Sequence, residues 1–381
     1  MRKLRGTVHS LVLGSTLLAA CGGHVDPAPT PETLVDLRSC GSMPTDGATR
    51  ALVSLDPSGA AFRVGAIDVD AEDVVFLAEG DAPEKSEILS VSRSGGTPKR
   101  LAAAPFATRA VALGEYVYFT DAGDGGLHRV RRAGDTPAAR FAPPGSEGWQ
   151  SATPLALTKV GDAVYFAFVS GAPKDMKTGL ARIEAATGTL AWVKTFDGIA
   201  AELVVDGNDL FFVRGSNELA RATIGEGATL ATSSVVVDAA GIGGVDVEGG
   251  VVFYAAGSSI LARTDSGTPV TIATGQDHPT RLVVDGAHVT WMNAGHLEGT
   301  CGVGALSGDS LPCHVVGSGL YRAAKAGGAI ETLSGAAPAG PGTAVVLASG
   351  RSAAPSDVRD FAADGCALYW SSDGRVLSRS K

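Results

Sequence analysis

Lysine is scarce in this chain of 381 residues: 9 against 22 arginines, with 40 acidic residues and a formal net charge of −9. A surface so acidic and so poor in lysine excludes attraction to nucleic acid or anionic lipid by charge alone. Cysteine is sparse, 5 in all, and neither a C-x-x-C nor an H-x-x-x-H unit occurs. The close ligand spacing used by structural zinc sites is therefore missing. The 7 histidines are scattered and no serine stands in a Gly-x-Ser-x-Gly frame, so no catalytic set is apparent. Glycine-rich runs such as Gly241-Ile242-Gly243-Gly244 lead into β-type sequence rather than a helix. A nucleotide-phosphate cradle fails on that context.

What the chain does have is repetition. Leu203-Val204-Val205-Asp206-Gly207-Asn208-Asp209-Leu210-Phe211-Phe212-Val213, followed by Leu219-Ala220-Arg221, reads as two antiparallel strands about a tight turn, then a third. Aligned on the turn residue and the aromatic six positions later, the pattern occurs seven times. The pairs are Asp70/Phe76, Leu113/Phe119, Val160/Phe166, Asp206/Phe212, Glu248/Tyr254, Asp285/Trp291 and Asp364/Trp370. Their spacings are 43, 47, 46, 42, 37 and 79 residues, the last enlarged by insertions at 294–318 and 335–357. A third-strand arginine recurs as Arg129, Arg182, Arg221, Arg263, Arg322 and Arg379, and a repeated feature of this kind is expected to hold blades together. Glycine-rich turns such as Gly95-Gly96-Thr97-Pro98 then lead to a short fourth strand.

Four-stranded units at this period predict an all-β, seven-bladed β-propeller, with six or eight blades as alternative counts. The chain stops at Arg379-Ser380-Lys381, directly after the third strand of the seventh unit. The missing fourth strand is expected from the N-terminal stretch Arg50-Ala51-Leu52-Val53-Ser54-Leu55, closing the ring.

Residues 1–20 carry Arg2, Lys3 and Arg5, no acid, and an apolar run from Val8 to Ala20, which reads as a secretory signal too short for a good membrane span. Leu18-Ala19-Ala20-Cys21 resembles the lipobox of bacterial lipoproteins. That resemblance implies cleavage before Cys21 and its lipidation, and two or three acyl chains anchor stably. Residue 22 is Gly rather than the Asp that retains many such proteins at the inner membrane, so the outer membrane of a bacterial envelope is the expected address. Loss of the leader takes the formal charge from −9 to −12. Residues 21–45, with Pro27, Pro29, Pro31 and Pro44, read as a flexible tether, and 46–381 as a single propeller domain.

With Cys21 lipidated, Cys40, Cys301, Cys313 and Cys366 are an even set in an oxidising compartment. Three connectivities are open. Cys301 and Cys313 share one insertion and would close a local loop, which leaves Cys40 for Cys366 across the ring closure. A zinc site from His296, Cys301, Cys313 and His314 lacks the usual spacing, so no metal is expected.

In such blades the loops joining strands two and three, and those leading to the next blade, emerge on one face. The long segments 79–87, 141–153, 170–178, 294–318 and 335–357 all fall there, which makes it the expected functional face. Arg109, Glu202, Arg281 and Asp360 stand four residues before the turn residue and should ring the channel mouth on that face. His278 and Trp149 lie in inter-blade loops beside it. Mutual pairing of these charges competes with ligand binding as their role. Asp121-Ala122-Gly123-Asp124-Gly125 is too short for an EF-hand loop and reads as a hairpin turn.

Tyr118-Phe119-Thr120-Asp121 with Gly126-Leu127-His128-Arg129, and more loosely Tyr369-Trp370-Ser371-Ser372-Asp373, resembles the YWTD repeat of low-density-lipoprotein-receptor propellers. The resemblance runs from about residue 60 to the end and implies a protein-binding or scaffolding propeller. Similar repeats occur in uncharacterised bacterial propeller lipoproteins. Residues 185–192, Ala-Ala-Thr-Gly-Thr-Leu-Ala-Trp, resemble a quinoprotein repeat, but in one unit of seven, so no cofactor is expected. The combined expectation is an envelope-anchored, non-enzymatic module that binds a protein or glycan. The alternatives are a propeller hydrolase, lyase or quinoprotein-like enzyme acting at the channel mouth, or an outer-membrane assembly scaffold.

Overall fold

A computed structural model describes residues 47–55, 63–80, 82–141, 153–170, 177–197, 200–223, 232–238, 240–264, 267–298, 314–316, 318–335, 345–346, 352–353, 358–364, 366–372 and 374–381. The chain forms a seven-bladed β-propeller of seven antiparallel four-stranded sheets.

The first strand, β1 (Arg50–Ser54), is set aside for the last blade. Blade I is β2 (Arg63–Val69), β3 (Asp73–Glu79), β4 (Glu87–Ser92) and β5 (Lys99–Ala103). Blade II is β6 (Ala107–Leu113), β7 (Tyr116–Asp121), β8 (Gly126–Arg131) and β9 (Ala139–Phe141). Blade III is β10 (Thr153–Val160), β11 (Ala163–Ser170), β12 (Lys177–Glu184) and β13 (Thr189–Asp197). Blade IV is β14 (Ala200–Asp206), β15 (Asp209–Arg214), β16 (Glu218–Thr223) and β17 (Thr232–Val237). Blade V is β18 (Ile242–Glu248), β19 (Val251–Ala256), β20 (Ser259–Thr264) and β21 (Val270–Ala273).

Blade VI is interrupted. Between β22 (Pro279–Asp285), β23 (His288–Asn293) and the continuing β26 (Gly319–Ala324) and β27 (Glu331–Gly335), a separate ribbon pairs β24 (His296–Glu298) with β25 (His314–Val316). A second ribbon, β28 (Val345–Val346) with β29 (Ser352–Ala353), lies in the insertion after this blade. Blade VII is β30 (Phe361–Ala363), β31 (Ala367–Ser372), β32 (Arg375–Ser380) and β1. The expected closure is observed: Arg50 pairs with Ser378 and Ser54 with Arg375 across an antiparallel ladder.

The turns follow from sequence. In blades II, III and IV a two-residue turn joins the first two strands, with Gly114, Gly161 and Gly207 at φ 59°, 57° and 58° in its first position. That is the place a primed hairpin turn demands of glycine. Blades I and VII use an aspartate instead: Asp70 Oδ1 accepts the amides of Glu72 and Asp73, and Asp364 Oδ1 those of Cys366 and Ala367.

Strand alternation sends successive side chains to opposite neighbours, so each blade contributes to two cores. In blade IV, Phe212 packs toward blade III while Phe211 packs toward blade V. Seven hydrophobic clusters result, one per blade interface. All seven register aromatics, from Phe76 to Trp370, are at most 1% exposed. Burial of one such ring contributes about 2–3 kcal/mol relative to exposure. The aromatics that make the repeat visible therefore also hold the ring together.

The recurrent third-strand arginines only partly match expectation. Arg379 crosses from blade VII to Glu331 of blade VI at 2.8 Å. Arg182, Arg221 and Arg322, however, pair within their own blades, with Glu184, Asp209 and Glu331. Cys366 is disulfide-bonded. Cys21, Cys40, Cys301 and Cys313 all lie outside the described residues, and with them both pairings expected from sequence.

Candidate functional site

The innermost strands of the blades touch one another around the ring, and each carries its free edge toward the axis. An inner edge exposes backbone amides that need acceptors. Three are met by carboxylates of the preceding blade. Asp360 Oδ2 accepts Ile67 N–H at 2.9 Å, Asp68 Oδ2 accepts Ala112 N–H at 2.7 Å, and Asp246 Oδ2 accepts Val284 N–H at 2.6 Å. Lys159 of blade III reaches back across two blades, donating to Asp68 Oδ2 at 2.5 Å and to the carbonyls of Val69 and Ala112 at 3.0 Å. These groups fasten blades. Burial pushes the Asp246 carboxyl up to about 6, against the amides of Val284 and Val247 and the charges of Arg281 and Lys325.

The four mouth charges divide into two unlike pairs. Arg281 Nε lies 2.5 Å from Asp360 Oδ1 and also donates to the Phe361 carbonyl at 3.1 Å. Asp360, 3% exposed, additionally accepts the Phe361 amide, so its oxygens are committed within the protein. Arg109 of blade II and Glu202 of blade IV approach to 4.0 Å across the width of blade III, with side chains 38% and 31% exposed. At that distance and exposure the pair contributes well under about 1 kcal/mol. It is the mouth pair whose charges a ligand can compete for.

Backbone strain coincides with this region. Among the described residues, the non-glycine residues with positive φ are Glu202 at 51° and His278 at 52°. Each sits where an innermost strand begins. Glu202 occupies a bulge between the paired residues Ala201 and Leu203. Left-handed backbone costs a side chain about 1–2 kcal/mol, and such strain gathers at working sites.

His278, with a side chain 72% exposed, holds its Nδ1 2.8 Å from Asp277 Oδ1, and His296 holds its own 2.5 Å from Asp277 Oδ2. Burial raises the Asp277 carboxyl, but hydrogen bonds from His296 and His278 outweigh it and hold the group below its usual range. Next to it, Gln276 Oε1 accepts Trp291 Nε1–H at 2.9 Å and Asn293 Nδ2–H at 3.2 Å, both buried. The root of the sixth-blade insertion is thus built on a polar network. Trp149 lies outside the described residues, as do most of segments 141–153, 170–178 and 335–357.

Blades V and VI meet on glycine. A Cβ on Gly243 would stand 2.3 Å from the Pro279 carbonyl oxygen, and one on Gly244 2.8 Å from the Arg281 amide nitrogen. The charge found at this register in blades II, IV, VI and VII is absent from blade V because the backbone passes too close.

The sequence reading missed a feature of blade II. Phe106, in the loop entering that blade, is 49% exposed and rests against Gly123. Asp124 in the same turn is held by His128 Nε2 and Arg140 Nε, each at 3.1 Å, with Arg140 half-exposed. The turn itself is the expected hairpin: Asp121 Oδ1 accepts Gly123 N–H at 2.7 Å. A lone Phe in a loop carries no periodicity, so sequence had no signal for its exposure. Among the described residues no group of three or more His, Cys, Asp or Glu is arranged to hold a metal ion.

The chain matches no protein-family model and no curated protein. Among solved structures it is similar to the computationally designed Ika8 protein, 16% identical over 87% of this chain and 100% of that one, with a TM-score of 0.52. It is also similar to Sqt1 of Saccharomyces cerevisiae (10% identical, 88% and 99% covered, TM-score 0.49). A third similar structure is BamB from Moraxella catarrhalis (12% identical, 61% and 82% covered, TM-score 0.40). The first likeness is one of fold, and none of the three assigns a function.

Proposed function

We propose that this protein is an envelope-anchored, non-enzymatic binding module that engages a protein or glycan through its looped face. The observation that carries the reading is the contrast between the two mouth pairs. Arg281 and Asp360 are consumed by the fold, whereas Arg109 and the strained Glu202 hold charges of opposite sign, part-exposed, across the mouth. A preformed, part-exposed polar pair at the channel mouth is what recognition uses.

The anchor belongs to the same reading. Residues 1–20 act as the leader, Cys21 becomes the lipidated first residue, residues 21–45 span the distance from the membrane, and 46–381 form the propeller. The destination is the outer membrane of a bacterial envelope. Cys40 pairs with Cys366 to lock the closure strand, and Cys301 with Cys313 to close the insertion.

The test is affinity capture from envelope extracts with three baits: wild type, a variant whose 294–318 insertion is replaced by a short turn, and the double charge reversal Arg109→Glu/Glu202→Arg. Loss of one defined partner in either variant, with circular dichroism unchanged, supports the reading. Identical or empty captures overturn it. Mass spectrometry of the mature N-terminus reports lipidation of Cys21 separately.

A further inference from the structure

A cavity of about 590 Å³ opens on the face of the short turns, between blades I and II. That size lies within the range small-molecule sites occupy, roughly 300–1,000 Å³. Its lining comes from three turns: Asp70-Ala71-Glu72, Gly114-Glu115 and Arg131-Arg132-Ala133. Arg132 is set by its backbone, whose N–H donates to the Glu115 carbonyl at 2.9 Å and whose own carbonyl accepts Lys99 Nζ at 3.0 Å. Its largely buried side chain pairs with Asp70 Oδ2, and Asp70 Oδ1 is taken by two amides of its own turn. That leaves Arg132 Nε buried with no hydrogen-bond partner among the described residues. Beside it, the part-exposed Arg131 stands 3.7 Å from Glu115 and 3.5 Å from Asp135, too far for tight pairing with either. Arg93, Lys325 and Lys381 hold the register of Arg132 in blades I, VI and VII, but there Ser92, Ala324 and Ser380 precede them. The doubled arginine is a departure from the repeat, and it lines the cavity.

We propose that this cavity binds a small zwitterion of amino-acid or dipeptide size, its carboxylate held by Arg132 Nε and Arg131 and its ammonium by Glu72 and Glu115. The charges of the lining select that class. An anion alone would face the carboxylates of Asp70, Glu72 and Glu115, and a cation alone would face two guanidiniums. A ligand carrying both charges meets a partner for each. A buried donor without an acceptor is costly to keep, and an incoming carboxylate oxygen supplies the acceptor as a charge-assisted hydrogen bond. Ala71, Gly114 and Ala133 complete the lining with small groups that leave room for a ligand side chain and offer no aromatic or long aliphatic surface to an apolar molecule. The site lies on the face opposite the long loops and stands whether or not the looped face binds a partner.

Calorimetric titration of the full chain with three probes tests this: L-alanyl-L-alanine, its N-acetyl derivative and its C-terminal amide. The free dipeptide should bind saturably, and each capped form should bind at least about tenfold more weakly, since each lacks one set of charge-assisted hydrogen bonds. Arg132→Lys keeps a cation for Asp70 but removes the Nε–H, and should weaken the dipeptide by a similar factor. Arg131→Gln, at a part-exposed position, should weaken it with circular dichroism unchanged, so the test holds even if Arg132→Lys unfolds. Glu248→Ala, which opens the corresponding contact with Lys325 between blades V and VI, should bind as the wild type does. No saturable binding to the wild type, equal binding of the three probes, undiminished binding to Arg131→Gln, or an equal loss in Glu248→Ala overturns the proposal.

Discussion

Arg93 Nη2 of blade I lies 2.7 Å from Asp364 Oδ2 of blade VII, across the seam where the ring closes. Asp364 is the turn residue of its blade, and Arg93 is the first residue after the third strand of the next. The same two positions are joined at other interfaces: Asp70 with Arg132, Glu248 with Lys325, and Asp285 with Lys381 at 2.7 Å. Where the turn residue is apolar, as Leu113 is, the facing position is Ala185, whose carbonyl instead accepts the Tyr118 hydroxyl at 2.9 Å. An acid before the second strand of one blade and a base after the third strand of the next thus form a recurring staple.

The seam staple should be the most costly to break. The Asp364 side chain is fully buried, and Arg93 also donates from Nε to the Tyr369 hydroxyl at 2.8 Å. Arg93→Ala leaves a buried carboxylate without its cation, a loss of about 3–5 kcal/mol. Urea unfolding should show the midpoint falling accordingly. A change below about 1 kcal/mol would mean that β1 alone secures the closure.

The equivalent pair of blades V and VI should behave differently. Glu248 is nearly half-exposed, so a double-mutant cycle over Glu248→Ala and Lys325→Ala is expected to give a coupling of at most about 1 kcal/mol, diminished by salt. A salt-independent coupling of several kcal/mol would show that partial exposure does not screen this pair.

The repeat, the blade count and the closure were legible because turn glycines and buried aromatics recur at fixed register, and because the chain ends one strand short of a blade. Pairing at the mouth was not. Glu202 and Asp360 hold the same register, yet one is strained and part-exposed while the other is buried under the Ile67 amide. Register names the blade and the height; it does not say how far an arginine reaches, and Arg109 reaches past a whole blade. The blade-bridging bases likewise sit one residue beyond strand ends, whereas the conspicuous arginines within the strands mostly serve their own sheet. Asp68 and Asp246 share a register two residues before the turn, a signal that reading by repeats could have found.

If the strain at Glu202 is kept for recognition, removing it should stabilise the fold. Glu202→Gly places a residue that tolerates φ 51° in the bulge and should raise stability by up to about 1 kcal/mol, while deleting the partner of Arg109. Thermal unfolding checks this. A destabilised variant would show that the carboxylate itself supports the inner strand.

Asp246 offers a pH signature. Its carboxyl is pushed up to about 6 from an ordinary value of 3.8, so between those values the folded chain holds a proton that the unfolded chain has released. Stability therefore falls as pH rises through this window, and the penalty is complete above about pH 6, on the order of 2–3 kcal/mol. Asp246→Asn carries no such titration. Its absolute stability is set partly by another term: Asn has one acceptor oxygen for the amides of Val284 and Val247, and an unpaired amide costs about 1–3 kcal/mol. The difference between variant and wild type should nevertheless shift in the variant's favour by that 2–3 kcal/mol from pH 4 to pH 7, since all other groups titrate alike in both. Parallel stability curves across that range would mean that Asp246 is ionised in the fold as readily as in water, and that the two amides hold its charge without penalty.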